Sequence, residues 1–444
     1  MKKKNVLSPS GGNDFLVERV SFPSGLSLIL DNDELIQVEK SSKKHVFGLA
    51  VDLGTISICV SLCNLETREE LAAATVANSQ CSFGMDLHSR VAFAGKSRKN
   101  MELLRKAVVD SINQAVAECL LKSGVEKTRI YAMVVVGNPV MHHFLFQIPI
   151  SDMGARQPLI AGRKLHQAKA GVLGIEMNPD GNVRFLPGLD NFVGSDVLAA
   201  IVGLQIGCND GSTIAVDVGF NGKIMIGSAA GIVVATTAVS SSFEGHLIKC
   251  GMVARPGAIE WVRIEKDKVT LLTIGHIRPQ GVCGSGMIDV LGELVREGRI
   301  NADGDLSGGD FVLYADKKTR IAITPEDVKN LQASKAAIRA GIELLMKKLK
   351  ISPENIKQVF LSGALGGYLN TDNIMRVGLI PADFKNKISF VGNAAFAGAK
   401  RALLSKNDCE RIVALAEEVR HLPLSADKNF QDYFNRALPF SSQR

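Results

Sequence analysis

Aromatic residues are scarce: they make up 5% of the 444 residues, with a single Trp. That scarcity argues against a carbohydrate cleft or a platform for single-stranded nucleic acid, which stack their ligands on rings. Long apolar runs are missing too, and none approaches the ~18 residues needed to span a bilayer. The basic start Met1-Lys2-Lys3-Lys4 has no apolar stretch behind it, so it does not read as a signal peptide. The expected location is the cytoplasm, away from membranes. The formal charge of +7 has no focus beyond that start and reads as solvated surface, with no nucleic-acid partner. The eight cysteines include no Cys-x-x-Cys and no four-ligand spacing. They are expected as reduced thiols, with no intrinsic zinc or iron–sulfur centre. Cys59 and Cys63 fall in an apolar strand pattern and read as small core residues.

Hydrophobic content of 46% with 22% charge is that of a globular chain, and 444 residues imply two or three domains. One stretch organises the rest. Ala215-Val216-Asp217-Val218-Gly219-Phe220-Asn221-Gly222-Lys223-Ile224-Met225-Ile226-Gly227 is an apolar strand, an Asp, a glycine turn and a second apolar strand. The Asp falls at a strand end, and glycines let backbone N–H groups approach an anion. Alone, the pattern reads equally as a plain β-turn. A second copy, Leu49-Ala50-Val51-Asp52-Leu53-Gly54-Thr55-Ile56-Ser57-Ile58-Cys59-Val60, favours a phosphate and divalent-cation site.

Taken in order, residues 1–45 read as a polar tail and linker, with a hairpin of Val17–Val20 and Leu26–Leu30 around Pro23-Ser24-Gly25. A first unit, 46–210, predicts strands at Phe47–Leu53, Ile56–Cys63 and Leu71–Ala77, then a helix from Met101 to Leu121. Strand Ile130–Val136 ends in Gly137-Asn138-Pro139. Strand Val183–Leu186 and helix Ser195–Gln205 close the unit. The second unit, 211–444, repeats that string: strands Thr213–Val218, Lys223–Gly227 and Ile232–Thr237, then a long insertion with strands near Ala258–Ile264 and Val269–Thr273 and a helix Met287–Glu297. Helix Ala333–Leu349, strand Gln358–Ser362 ending in Gly363, strand Ile388–Val391 and helix Ala394–Leu404 complete it. Duplication at this scale constrains the architecture. It predicts Asp52 and Asp217 on opposite walls of one cleft.

This layout resembles the actin-like ATPase superfamily of acetate and sugar kinases, the Hsp70 ATPase domain and actin. The resemblance implies an α/β, duplicated, ribonuclease H-like two-lobed fold with an interlobe nucleotide cleft. The runs Ser242-Phe243-Glu244-Gly245, Lys249-Cys250-Gly251-Met252, Arg255-Pro256-Gly257-Ala258-Ile259, Gly281-Val282-Cys283-Gly284-Ser285-Gly286-Met287-Ile288-Asp289, Lys335-Ala336-Ala337-Ile338-Arg339-Ala340-Gly341-Ile342 and Val391-Gly392-Asn393-Ala394-Ala395 narrow it. From Val46 onward the chain is similar to the reductive activators of corrinoid-dependent methyltransferase systems. Such proteins couple ATP hydrolysis to reduction of a Co(II) corrinoid to Co(I), and usually carry an iron–sulfur domain. With no cluster ligand set, this chain is expected to be the ATPase part alone. The resemblance implies ATP and Mg²⁺ as cofactors, and a corrinoid protein and a separate electron donor as partners. A homodimer is left open.

The same resemblance assigns site residues. Asp52 and Asp217 would hold Mg²⁺ through its waters, with Gly54, Thr55, Gly219, Asn221 and Gly222 around the phosphates. Gly363 and Gly366, in Leu361-Ser362-Gly363-Ala364-Leu365-Gly366-Gly367, would lie against adenosine. Gly284, Ser285 and Gly286 read either as a phosphate or ribose site at a helix start or as a tight strand–helix turn. Glu244 either orients the attacking water or is a helix-start carboxylate. Phe220 and Lys223 stand where the family's Asp-Ile-Gly-Thr-Asn-Gly-Glu motif has Thr and Glu. The run Thr237-Ala238-Val239-Ser240-Ser241 has lost the glycine and proline of the usual Ala-Ala-Gly-Pro-Ala, and Gly363-Ala364-Leu365-Gly366 replaces Gly-Gly-Phe-Gly. These departures put hydrolysis in doubt more than binding.

Two further motifs are set aside. Gly95-Lys96-Ser97 imitates a P-loop end, but position 90, where that loop needs glycine, is Arg90. His142-His143 point apart on a helix and read as packing and surface, not a ligand pair. Two rival functions remain: a small-molecule kinase of the same superfamily, and a nucleotide-sensing, partner-binding module whose ATPase has decayed.

Overall fold

The computed structural model describes residues 14, 16–40, 45–150, 160–208, 211–219, 222–228, 230–237, 241–245, 247–266, 268–363 and 369–440. The chain divides into two compact units: Met1–Gly203 with Ala395–Glu417, and Leu204–Ala394 with Glu418–Arg444.

Unit 1 opens with a three-stranded antiparallel sheet, β1 (Val17–Ser21), β2 (Leu26–Asp31) and β3 (Glu34–Lys40). The hairpin is where the sequence puts it. A third strand, not expected from the sequence, completes the sheet. Arg184 Nη2 donates to Asp31 Oδ1 at 2.5 Å, with both side chains almost wholly buried, and Asn182 Nδ2 donates to Asp31 Oδ2 at 2.8 Å. Removing one partner of such a pair strands a buried charge, so the sheet is fixed to the unit.

The main sheet of unit 1 uses β4 (Phe47–Leu53), β5 (Ser57–Asn64), β6 (Glu70–Ala77), β7 (Ile130–Gly137), β8 (His166–Lys169) and β9 (Asn182–Phe185) in the order β6-β5-β4-β7-β9-β8. Central β7 is buried at every residue, whereas edge strand β6 alternates exposed and buried positions. A central strand covered on both faces must be apolar throughout, and a half-covered one alternates. Helices α1 (Leu87–Ala94), α2 (Arg98–Ser123), α3 (Pro139–Phe146), α4 (Ala170–Leu173) and α5 (Ser195–Gly203) join them. Ser97, in the P-loop imitation, is the N-cap of α2 and accepts from Asn100 N at 3.1 Å.

Unit 2 has β10 (Ser212–Val218), β11 (Gly222–Ser228) and β12 (Gly231–Thr237), then β13 (Ala258–Glu265), β14 (Lys268–Thr273) and β15 (Gly281–Val282) as a small separate sheet, and the hairpin β16 (Phe311–Ala315) and β17 (Arg320–Ile323). Strands β18 (Ile356–Gly363), β19 (Ile388–Phe390) and β20 (Arg420–Pro423) complete the main sheet, ordered β19-β18-β10-β11-β12-β20. Read from β12 to β19, it repeats β6-β5-β4-β7-β9 with the same parallel and antiparallel pairings. The duplication expected from sequence is therefore present in the topology.

Helix α6 (Gly284–Arg296) packs on β13, and α7 (Pro325–Leu349) lies over β11 and β12. The α7 helix starts eight residues earlier than its apolar periodicity indicates. Thr324 and Asp327 form a reciprocal capping box with Pro325 at the first turn. Helix α8 (Thr371–Val377) follows. The next two, α9 (Ala394–Leu404) and α10 (Lys406–Glu418), belong almost wholly to unit 1, although sequence order assigns them to the second repeat. A Cβ on Gly398 of α9 would overlap the Ala199 carbonyl of α5. Finally α11 (Phe430–Ala437) packs on α7. Among the described residues no helix is long and apolar enough to cross a membrane.

Candidate functional site

Asp217 is the second-last residue of β10. Its register neighbours are Lys223 on β11 and Ser362 on β18, and Val218 stands opposite Gly363. Gly363 has φ +104, and a Cβ there would lie 2.6 Å from Asp217 Oδ1 and 2.7 Å from the Val218 carbonyl. Only glycine suits both that backbone and that approach. The strand end is then fastened. Ser362 Oγ donates to the Gly392 carbonyl at 3.0 Å and accepts from Ala394 N at 3.2 Å, and Gly363 N donates to the same carbonyl at 3.1 Å.

Glu244 reaches this place from a different part of the chain. It lies in the single turn of a short 3-10 helix, Ser241–Glu244. Buried Phe243 anchors the turn, and Ser242 Oγ donates to the Asn330 carbonyl of α7 at 3.4 Å. A Cβ on Gly219 would stand 3.6 Å from Glu244 Oε1 and 3.9 Å from Asp217 Oδ2. Two carboxylates therefore converge on one open glycine. Lys223 Nζ lies 3.9 Å from Asp217 Oδ2. Gly222 opens β11, and its carbonyl accepts from Thr237 Oγ1 at 3.4 Å.

Asp52 occupies the equivalent position in unit 1. It faces Cys59 on β5 and Val136 on β7, while Leu53 pairs with Gly137. A Cβ on Gly137 would lie 2.8 Å from the Leu53 carbonyl, as one on Gly363 would from Val218. A Cβ on Gly54 would lie 2.6 Å from the Ser57 carbonyl, so this turn also needs glycine. Thr55 Oγ1 accepts from Asn138 Nδ2 at 3.2 Å, and Asn138 caps α3 by accepting from Met141 N at 3.1 Å. Ser195 Oγ accepts from Gly137 N at 3.1 Å, tying the end of β7 to α5 as Ser362 ties β18 to the turn before α9. Gly137, Asn138, Ser195 and Ser362, which fasten the two strand ends, are not among the residues assigned to the site from sequence. The repeated strand–glycine string was the signal that could have found them.

Asn221 and Gly366, and with them Phe220, lie outside the described residues. Gly284, Ser285 and Gly286 form the buried first turn of α6. A Cβ on Gly286 would run into the Ile259 carbonyl of β13, and Cys283 Sγ donates to that carbonyl at 3.3 Å. The turn is thus packed closely against β13. His142 and His143 are both buried, which corrects the surface part of their reading. His142 stacks on Phe185 at 4.1 Å, and burial holds its imidazole neutral, its pKa lowered to about 2. Cys63 is buried and Cys59 half-buried, and the cysteines are free thiols.

Among the described residues no group of three or more His, Cys, Asp or Glu could hold a metal directly. Two carboxylates beside a bare glycine suit a cation that keeps most of its water, as Mg²⁺ does. Glycine at 219, with no Cβ in the way, fits a phosphate oxygen taken by backbone N–H groups.

Comparison with known proteins agrees with this geometry. Residues 47–209 match the RACo middle region, and residues 211–444 match the C-terminal domain of RACo, the ASKHA domain. The chain is 29% identical to the corrinoid activation enzyme RamQ of Eubacterium limosum over 435 residues, covering 92% of this chain and 73% of that protein. It is 22% identical to a [Co(II) methylated amine-specific corrinoid protein] reductase of Methanosarcina barkeri over 431 residues, covering 90% and 78%. A solved reductive activator for corrinoid, iron-sulfur protein superposes with TM-score 0.86 at 33% identity, covering 94% of this chain and 70% of that one. Matched along both regions, the chain belongs to the RACo family of corrinoid reductive activators, with an actin-like ASKHA domain as its second part.

Proposed function

We propose that this chain is the nucleotide-dependent component of a corrinoid-activating system. It binds ATP with Mg²⁺ and promotes one-electron reduction of a protein-bound Co(II) corrinoid to Co(I), the electron coming from a separate iron–sulfur donor. The observation that carries the reading is the convergence of Asp217 and Glu244 on Gly219, with Gly363 against Asp217, within the ASKHA match. The named activities of RamQ and of the methylamine-system reductase support the corrinoid protein as partner.

In this reading Asp217 and Asp52 orient the water shell of Mg²⁺. The cation, when bound, neutralises phosphate charge. The N–H groups at Gly219 and Gly222 in one hairpin, and Gly54 and Thr55 in the other, receive phosphate oxygens. Glu244 accepts a hydrogen bond from the attacking water and orients it. Phosphoryl transfer needs chiefly such positioning and charge neutralisation, so few side chains suffice. Coupling to reduction requires ATP to bind two conformations with different affinity.

Lys223 favours a second reading, a nucleotide sensor with impaired hydrolysis. Its ammonium stands 3.9 Å from the carboxylate that Mg²⁺ would use. The test is ATP turnover with and without a Co(II) corrinoid protein and a one-electron donor, alongside the appearance of Co(I). Stimulated turnover with Co(I) formation supports the activator. Nucleotide binding with neither supports the sensor. The absence of any Mg²⁺–ATP thermal shift in folded protein would defeat both.

A further inference from the structure

Lys335 lies in the middle of α7 and is 1% exposed. Its ammonium donates to the carbonyls of Ala437 at 2.6 Å and Pro439 at 2.7 Å, and faces the ring of Phe440 at 5.0 Å. No carboxylate among the described residues pairs with it. Burial and the nearby Arg339 pull its pKa down to about 7.

Beside it is a cavity of about 130 Å³, lined by Lys335, Arg339, Glu343, Arg436 and the backbone at Gly378 and Pro439. Arg339 pairs with Glu343 and donates to the Ile380 carbonyl at 3.1 Å. Arg436 stacks on Tyr433 at 4.3 Å and donates to the Asp432 carbonyl at 3.2 Å, with no carboxylate partner among the described residues. Two guanidiniums and a lysine that is only partly protonated at neutral pH therefore face one carboxylate. The cavity is partly open to solvent and is formed by elements of unit 2 alone. With one carboxylate beside three basic side chains, the lining attracts an anion.

We propose that this cavity is a binding site for a small oxyanion of the phosphate class, held by Lys335, Arg339 and Arg436. The space admits several waters or one small tetrahedral anion. The guanidinium planes supply paired donors to the anion's oxygens, and the ammonium acts as a point charge. Because Lys335 also holds the carbonyls after α11, the anion ties that helix more firmly to α7.

The test is calorimetric titration of the full chain with inorganic phosphate at constant ionic strength. Wild type should bind at millimolar phosphate or below. Arg436→Gln, a surface change, should weaken binding about tenfold, the loss of one charge-assisted contact. Lys335→Met should abolish it, with circular dichroism reporting whether that variant folds. No heat of binding in wild type, or equal affinity in Arg436→Gln, overturns the site whatever Lys335→Met does.

Discussion

Gly363 stands so close to Asp217 that a Cβ at position 363 would lie 2.6 Å from Oδ1 of the carboxylate. The strand pairing brings them together: Asp217 and Val218 run parallel to Ser362 and Gly363. The carboxylate's position thus depends on a missing side chain in a distant part of the chain.

Gly363→Ala tests that dependence. The residue would have to hold φ +104, and its methyl would displace the carboxylate. The expected strain is about 1–3 kcal/mol. Circular dichroism should remain native while the thermal shift given by Mg²⁺–ATP falls sharply. An unchanged shift in the folded variant would separate Gly363 from nucleotide binding.

Lys223 sets the second prediction. Unit charges 4 Å apart attract by about 4 kcal/mol at an effective dielectric of 20, so this ammonium competes with Mg²⁺ for Asp217. Lys223→Met should lower the Mg²⁺ concentration needed for ATP binding. The double variant Phe220→Thr with Lys223→Glu, which restores the family's motif, should speed single-turnover hydrolysis by up to about 10²-fold, the scale of one transition-state donor. A wild type that already hydrolyses as fast would make both substitutions neutral and remove the support for a decayed ATPase.

The third prediction concerns pH and Asp289 in α6. Burial raises its pKa to about 6 from the ordinary 3.8, against the lowering effect of Asn373, whose Nδ2 donates to Oδ1 at 2.8 Å. The native state then binds more protons than the unfolded state between these values. Its contribution to stability is complete below the unfolded pKa and is lost as pH rises through about 6. Two pKa units correspond to about 3 kcal/mol. In denaturant unfolding at pH 4 and pH 7, the stability of Asp289→Asn minus that of wild type should rise by that order. A difference independent of pH would show that the carboxyl does not titrate in this window.

Much of this fold is legible locally. A strand such as β7 is covered on both faces and reads as an unbroken apolar run, and the two Asp-x-Gly turns mark their own hairpins. The signals that failed were of other kinds. The first turns of α7 are polar, and their capping box, Thr324 to Asp327, was the readable sign. Strand β3 is a half-exposed strand of mixed residues, made stable by the buried contacts of its sheet to Arg184 and Asn182. His142 gave no hint of its stack on Phe185, because that partner lies on another strand.

By itself the sequence determined the duplicated strand–helix string, the paired hairpins and the family, since each rests on periodicity or on short runs of neighbouring residues. Tertiary structure decided that Ala395–Glu417 packs with the first unit, that Glu244 meets Asp217 at Gly219, and that Lys335 is buried against the carbonyls of the C-terminal turn. Those relationships join residues far apart in the chain. They arise from strand register and close helix approach, to which local pattern contributes nothing.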